Sequence, residues 1–388
     1  MTRLLIAVWL IIISQWVFAA DEAHEEESTG WLMPGAVPGT FRFKGSDASF
    51  QIGGRLETHA TISDVYFTAS QSGRDLLKFA QIPVVAEGEN NNQFRLNSRD
   101  SRLWLHLMHP IRSQNLDFYL EYDMTENPDS YNFFLRHAYL KVGSLLLGRS
   151  FTTFIDSAVL PDVDTGSAPG QIFLKRDQIR WTRLFRDDAL ELALALEQPD
   201  SHISAPNCAC IRNYDDDHIP SVASRLTWWA DWGQLSISGM LRSLRWQHNE
   251  QSLSKTVGGA GLSGRIKLGV VDDLRFMANY GNGLGRFITS GAYADASLAR
   301  DFSELNPHPV VSMLAAYQHY WSEKWRSTLS LSASQSSLSG SASEQMTKRA
   351  RSAQVNLFWS PVPDLSIGLE FLHGRDSCLI NKMVNSIV

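Results

Sequence analysis

Leu145-Leu-Leu-Gly-Arg149 and Lys175-Arg-Asp-Gln-Ile-Arg-Trp-Thr-Arg183 are two strand-like runs separated by a connector that carries no apolar period of its own. In the second run Ile179 and Trp181 fall on one face while Gln178, Arg180 and Thr182 fall on the other, because successive strand residues point to opposite sides. That alternation admits two folds. In a soluble sandwich the apolar face turns inward; in a membrane barrel it turns out to lipid and leaves Arg180 facing a watery lumen. The connector, which begins Phe151-Thr-Thr-Phe-Ile-Asp156, is too long for an ordinary link in a compact domain, and loops of that kind are usually functional.

The same grammar extends in both directions. Phe50, Ile52 and Leu56 share a side against Gln51, Arg55 and Glu57; Arg102, Trp104 and His106 oppose Leu103, Leu105 and Leu107; Asp117, Tyr119, Glu121 and Asp123 oppose Leu116, Phe118, Leu120 and Tyr122. In Phe133 to Val142 the parity breaks, since Arg136 and His137 are adjacent and a regular strand cannot turn both to one face. Further runs at about 190–197, 221–229, 235–244, 256–268, 273–281, 310–321, 325–334, 349–359 and 365–373 are each near the length of a membrane strand. Their connections alternate. Those around 230–233, 270–273, 322–325 and 360–364 are tight, while 198–220, 245–255, 282–309 and 335–348 are long, which is the rhythm of an outer-membrane barrel. Trp228-Trp229, Tyr320-Trp321 and Phe358-Trp359 each precede a tight turn, where an interfacial girdle of rings belongs.

Composition narrows the choice. Hydrophobic content of 44% and a mean hydropathy of −0.18 are too low for a helical membrane protein, and aromatics reach 11% with 12 Trp, as expected for a barrel with two girdles. The net charge of −6 and pI near 6.0 give no reason to expect nucleic acid, and no cofactor motif is present. At the N-terminus Arg3, the apolar run Leu4 to Phe18 and Val17-Phe-Ala19 predict a signal peptide over 1–20, cleaved after Ala19 or Ala20. An acidic leader and Gly/Pro linker follow over 21–45, then the barrel over 46–374 with a lumen loop at 151–175. Of three cysteines, Cys208 and Cys210 are separated by a single residue, too close for an easy bridge.

Six segments in order carry a resemblance: Asn97-Ser-Arg-Asp-Ser-Arg-Leu-Trp104, Leu135-Arg-His-Ala-Tyr139, Leu147-Gly-Arg-Ser-Phe-Thr-Thr-Phe-Ile-Asp156, Gln178-Ile-Arg-Trp-Thr182, Asp231-Trp-Gly-Gln-Leu235 and Gly281-Asn-Gly-Leu-Gly-Arg-Phe287. Through them the chain resembles the DcaP-like family of trimeric outer-membrane porins over about residues 40 to 373. The resemblance implies an all-β protein, a 16-stranded transmembrane antiparallel β-barrel, assembled as a homotrimer in the bacterial outer membrane. It also implies passive uptake of small, preferably anionic solutes such as dicarboxylates, with 151–175 folded into the lumen as a constriction. Two departures stand out. The helical extension found before the barrel in many members is replaced by the acidic leader, and the tail 375–388 does not end on the aromatic residue that the outer-membrane assembly machinery reads in the family. About fifteen strands precede that tail, so the last strand is expected to be altered or missing and assembly to be impaired, since an open edge leaves backbone groups unpaired in lipid.

Six arginines fall on wet faces or at strand ends and are the candidate filter: Arg99, Arg102, Arg176, Arg180, Arg225 and Arg265, with Arg102 and Arg180 foremost. Cationic side chains favour anions in a narrow, low-dielectric bore, and the planar guanidinium matches a carboxylate. The competing reading has them pair with Glu57, Asp117, Glu121 and Asp123 and merely hold the wall. In the loop, Phe151, Phe154, Asp156, Asp162 and Asp164 are expected to shape the constriction; the acids lack a calcium-loop pattern, and neither they nor Asp215-Asp-Asp-His218 are assigned a metal. Gly281-Asn-Gly-Leu-Gly285 lacks the lysine and helix of a phosphate loop and reads as a turn, and Gly258-Gly-Ala-Gly261 as a thin patch where loops or protomers approach. The alternatives are a barrel esterase or lipase drawing on His59, His106, His137 or His319, none of which accompanies a nucleophile motif, and a receptor or adhesin barrel resting on the long loops.

Overall fold

The computed structural model describes residues 14–17, 31–35, 37–63, 93–98, 100–112, 114–127, 130–163, 168–206, 211–214, 217–289, 291–338, 342, 346–378 and 383–387. Fifteen long strands form its wall: β1 Ser49–Leu56, β2 Arg102–Ile111, β3 Gln114–Asn127, β4 Ser130–Val142, β5 Leu145–Phe151, β6 Lys175–Phe185, β7 Leu190–Glu197, β8 Ser221–Ala230, β9 Gly233–His248, β10 Gln251–Leu268, β11 Asp272–Asn282, β12 Pro309–Ser322, β13 Trp325–Ser336, β14 Thr347–Val362 and β15 Leu365–Cys378. Each pairs antiparallel with its sequence neighbour, so the wall is an up-and-down meander. No described helix is long and apolar enough to cross a membrane.

The polarity of the wall is inverted. Ile179 is 52% exposed and Trp181 36% exposed on the outer face, as are Leu241, Met313 and Leu331 on later strands. The inward positions of β13 are Thr328, Ser330, Ser332, Ser334 and Ser336, and all are buried. A sheet with oily residues outside and hydroxyls inside is stable only with lipid on one side and polar filling on the other. At one rim every described connection between wall strands is short, from Asp231-Trp232 between β8 and β9 to Pro363-Asp364 between β14 and β15. Trp325 and Trp359 stack side by side there, at 6.0 Å between ring centroids.

The connection over 245–255, expected to be long, is a hairpin instead. The β9–β10 ladder runs on to His248 opposite Gln251, and Asn249 closes it with φ 52°. Asn tolerates this left-handed conformation better than most residues.

The wall has one seam. Met383–Ile387 pairs with residues 373–377 at the long-loop end of β15, and the free edge of β1 pairs with Phe41–Phe43 at one end and Ser14–Val17 at the other. Among the described residues no ladder joins β15 to β1. Fifteen wall strands before residue 379 agree with the number read from the alternation, and Met383–Ile387 is a partial sixteenth.

Inside the wall sits a second core. Phe154, Ile155, Val159, Ile172 and Leu174 from the loop after β5 pack with Leu284, Phe287, Ile288 and Tyr293 from the segment between β11 and β12, all nearly solvent-free. The latter segment was expected to be an outer loop; it folds inward. Ile172 and Ile288 form an isolated bridge, Phe173 N–H donates to Phe287 O, and Thr289 N–H donates to Gln171 O, so the two loops are one unit. Above them Ser201–Ser204, Ile211–Tyr214, Ala296–Leu298 and Leu305–Pro307 make a four-stranded sheet over the long-loop rim.

Candidate functional site

The lumen is divided by how the inner loops are fixed. Asp156 caps the short turn Ser157–Val159 by accepting from Ala158 N–H, and its other oxygen accepts from Gln234 Nε2 at 2.7 Å and Ser236 Oγ at 2.8 Å on β9. Further along, Arg225 of β8 donates to Ile155 O, and Arg275 of β11 donates to Leu160 O at 2.6 Å. Asp162 accepts from Arg326 Nε of β13 at 2.8 Å, while Asn356 of β14 donates to Asp162 O at 2.7 Å. At the far end Gly170 N–H donates to Ser332 Oγ at 2.6 Å, and a Cβ there would lie 1.9 Å from Met313 O, so only glycine lets the loop come this close. At its start Thr153 Oγ1 donates to Gln178 of β6 at 2.9 Å and Thr152 Oγ1 to Glu197 of β7 at 2.7 Å, so the loop is stitched to β6–β14 and the wall opposite is β1–β4.

That opposite wall is lined with charge. Arg136 donates to Glu121 Oε1 at 2.6 Å and to Asp123; Tyr119 OH donates to Glu121 Oε2 at 2.7 Å; Arg55 lies against Glu57. Sequence parity could not place Arg136. The β3–β4 ladder shifts register between Glu121 and Tyr122, where His137 faces Glu121 and Leu135 faces Tyr122, so Arg136 is the extra residue of a bulge and lies inward beside His137. Of the candidate filter residues, Arg102 comes no nearer than 4.0 Å to Glu121, and its buried Nε has no hydrogen-bond partner; the same is true of Arg180 Nε. Lys175 Nζ sits over the rings of Phe151 and Phe173 at 4.8 and 4.6 Å, at the lip of the loop.

The remaining candidates are more heavily paired. Arg176 donates to Asp200 Oδ2 at 2.8 Å and covers the Phe287 ring; Arg225 reaches Glu191 at 3.2 Å; Arg265 reaches Asp273 at 2.6 Å near the short-turn rim. Arg99 and Asp164 lie outside the described residues, as do Cys208, Cys210, Asp215 and Asp216. Phe154 packs edge-on to Phe287 at 6.3 Å, and Phe151 edge-on to His137 at 5.1 Å.

Above Arg176 is a group that the sequence did not announce. Arg242 pairs with Asp295 at 3.2 Å and donates to Asp200 O and Gly283 O, while Arg286 Nε donates to Asp200 at 2.9 Å. Burial alone would raise the Asp200 carboxyl, but Arg286 and Arg176 hold it below its ordinary value. Burial, with the Arg286 charge beside it, lowers His202 to about 4, and burial lowers His308 likewise to about 4. Gly281 and Gly259 pack without room for a Cβ on either, and Leu284 fills the space beside them, so the two glycine runs are a turn and a close approach of loop to wall.

Among the described residues Glu57, His59 and Asp100 bring metal-ligand atoms within 4.8 Å of one another. Glu57 Oε1 is already 2.8 Å from His59 Nε2 and its other oxygen meets Arg55, so the trio forms a neutralised ion-pair group. Of the remaining histidines considered for catalysis, His106 pairs with Asp117 at 3.3 Å, and His319 lies on the outer face with Asp272 at 2.7 Å.

Three comparisons bear on this geometry. No curated protein matches the chain in sequence. The crystal structure of the outer membrane channel DcaP of Acinetobacter baumannii superposes with a TM-score of 0.71 at 18% identity, over 89% of this chain and 97% of that one. In-vitro folded OmpT, an outer membrane protein of Vibrio cholerae, superposes at 0.54 with 9% identity over 88% and 95%. Both show likeness of fold. The family model for the DcaP outer membrane protein matches residues 49–383, from the first residue of β1 into Met383–Ile387, and the chain belongs to that family.

Proposed function

We propose that this protein is an outer-membrane porin, not an enzyme, through which small solutes, preferably anionic and dicarboxylate-like, diffuse between the inner loop and the charged wall β1–β4. The observation that carries the reading is the asymmetry of the lumen. The loop over 151–175 is stitched to β6–β14, while Arg102 on β2 and Arg180 on β6 lie on inward positions with a guanidinium Nε that no protein acceptor uses. A guanidinium so placed exchanges water for a passing carboxylate at small cost; Arg176, Arg225 and Arg265 each have an acid within 3.2 Å, Asp200, Glu191 and Asp273, and set the field and the shape of the bore, although Arg176 and Arg225 also keep an unpartnered Nε. Phe151, Phe154, Asp156 and Asp162 then act as the constriction's frame.

The signal peptide over 1–20 and the homotrimer belong to the same proposal, and cleavage after Ala19 or Ala20 would remove Ser14–Val17 from the edge of β1. One solved relative in fold, OmpT of Vibrio cholerae, is described in a trimer form, which supports the assembly state. Planar-bilayer recording of the purified protein tests the filter. Replacing Arg102 and Arg180 together by Gln is expected to bring the anion-to-cation permeability ratio toward unity with little change in conductance, and an unaltered ratio removes these two residues from the filter.

A further inference from the structure

We infer that the outer face of β5 and β6 is a contact surface for a second copy of this chain. The inference rests on the homotrimer proposed above and names the face that makes it. On this side of the wall Leu145 and Leu147 of β5 lie opposite Trp181 and Ile179 of β6, and two residues higher Arg149 lies opposite Asp177. By strand parity both ions share the outward face of Leu147 and Ile179; Arg149 reaches Asp177 at 3.4 Å, and the Asp177 side chain is 53% exposed. Their outward neighbours are apolar, Ala138 and Leu140 on β4 and Leu194 and Leu196 on β7.

An ion pair on that face sits at the wrong depth for lipid. Arg149 is five residues from Ser144 in the short turn before β5; at about 3.3 Å per residue and a tilt of roughly 40°, this is about 13 Å along the membrane normal, near the middle of the ~25 Å apolar band of a barrel. Acyl chains offer neither ion a hydrogen-bonding partner, so charge on the lipid side of a barrel is most costly at this height.

The wall is also too low here. β5 has 7 residues, against 14 in β3 and 13 in β4, whereas a strand needs about 9–11 to cross the hydrocarbon. Beyond Phe151 the chain builds the wall no higher: Thr152 and Thr153 are buried, and Thr153 Oγ1 donates to Gln178 on the lumen side. A low rim with a charged pair two residues beneath it calls for protein on its outer side.

A second copy supplies that surface. On the long-loop rim between β1 and β2, the hairpin of His59–Ser63 with Gln93–Asn97 presents an apolar face, Ala60 opposite Leu96 and Ile62 opposite Phe94, and Leu96 and Phe94 are 64% and 68% exposed. This hairpin stands at the height where β5 falls short. Hairpin and low rim are different patches of one chain, so their contact runs head to tail, the kind that closes identical copies into a ring.

The test uses the full chain in outer-membrane vesicles, with a photoreactive benzophenone amino acid replacing Leu147 on β5 or Leu331 on the outer face of β13. Irradiation should carry protein altered at 147 to two and three times the protomer mass and leave protein altered at 331 at one. Asp177→Arg, which opposes two like charges, should yield folded monomer, and the swapped pair Arg149→Asp/Asp177→Arg should recover the oligomer. Native mass spectrometry of the unaltered protein separates the two readings. A trimer in which position 147 reacts only with lipid, or only within its own chain, overturns the contact face and leaves the homotrimer standing, while a monomer overturns both. An Asp177→Arg variant that stays fully trimeric overturns the face as well.

Discussion

Removing the carboxylate of Asp156 should unseat the first third of the inner loop. Three donors point at this one side chain: Gln234 Nε2 at 2.7 Å, Ser236 Oγ at 2.8 Å and Ala158 N–H at 3.1 Å, in a site where Asp156 is buried. Hydrogen bonds to a charged acceptor contribute roughly 1.5–3 kcal/mol each, so Asp156→Ala forfeits nominally about 5 kcal/mol. Water entering from the lumen recovers part of this, leaving a loss of about 3 kcal/mol, or on the order of a hundredfold in the population of the seated loop. The anchors at Leu160, Asp162 and Gly170 remain, so the loop frays locally and stays attached. Single-channel recording reads this directly: Asp156→Ala should show flickering current and a raised mean conductance, and Asp156→Asn, which keeps the shape and one acceptor, an intermediate level. Traces indistinguishable from the unaltered protein in both variants would refute the claim that Asp156 seats the constriction.

Acidification should loosen the inner cap. His202 and His308 have an ordinary pKa of 6.5 and sit at about 4 when folded, so they stay neutral in place but take up protons when released; their contribution is complete above pH 6.5 and is lost as pH falls toward 4. At pH 5 this amounts to about 2 kcal/mol each before solvent screening, and hydrogen exchange around His202 and His308 should quicken between pH 7 and 5. Gly170→Ala should push the loop tip off Met313 O and Ala333 O, and limited proteolysis should then cut near residue 170 where the unaltered protein resists. Leu331→Arg, on the outer face, should reduce heat-resistant folded protein by a cost of about 2–4 kcal/mol at the bilayer midplane, whereas Ala195→Ser, on the inner face of β7, should not.

The sequence alone determined the wall. Period-two alternation is a local property of an extended backbone, so Ile179 against Arg180, or Leu103 against Arg102, could be assigned to faces before any contact was known, and the inversion of those faces followed from their grouping with girdle tryptophans and tight turns. The strand number came from the same signal, as did the choice of Arg102 and Arg180.

What only the tertiary structure decided is non-local. Nothing in the composition of 282–309 distinguishes a loop that projects from one that turns inward to bury Leu284, Phe287 and Tyr293 against Phe154 and Ile155, because that choice depends on a partner more than a hundred residues away. Arg136 faces inward through a bulge that is set by its pairing with β3 and not by its own strand. Which acid neutralises which arginine, Asp200 with Arg176 or Asp295 with Arg242, likewise depends on where two loops end up. A strand's parity is written in its own residues, while ion pairing and loop course are fixed only when distant segments meet.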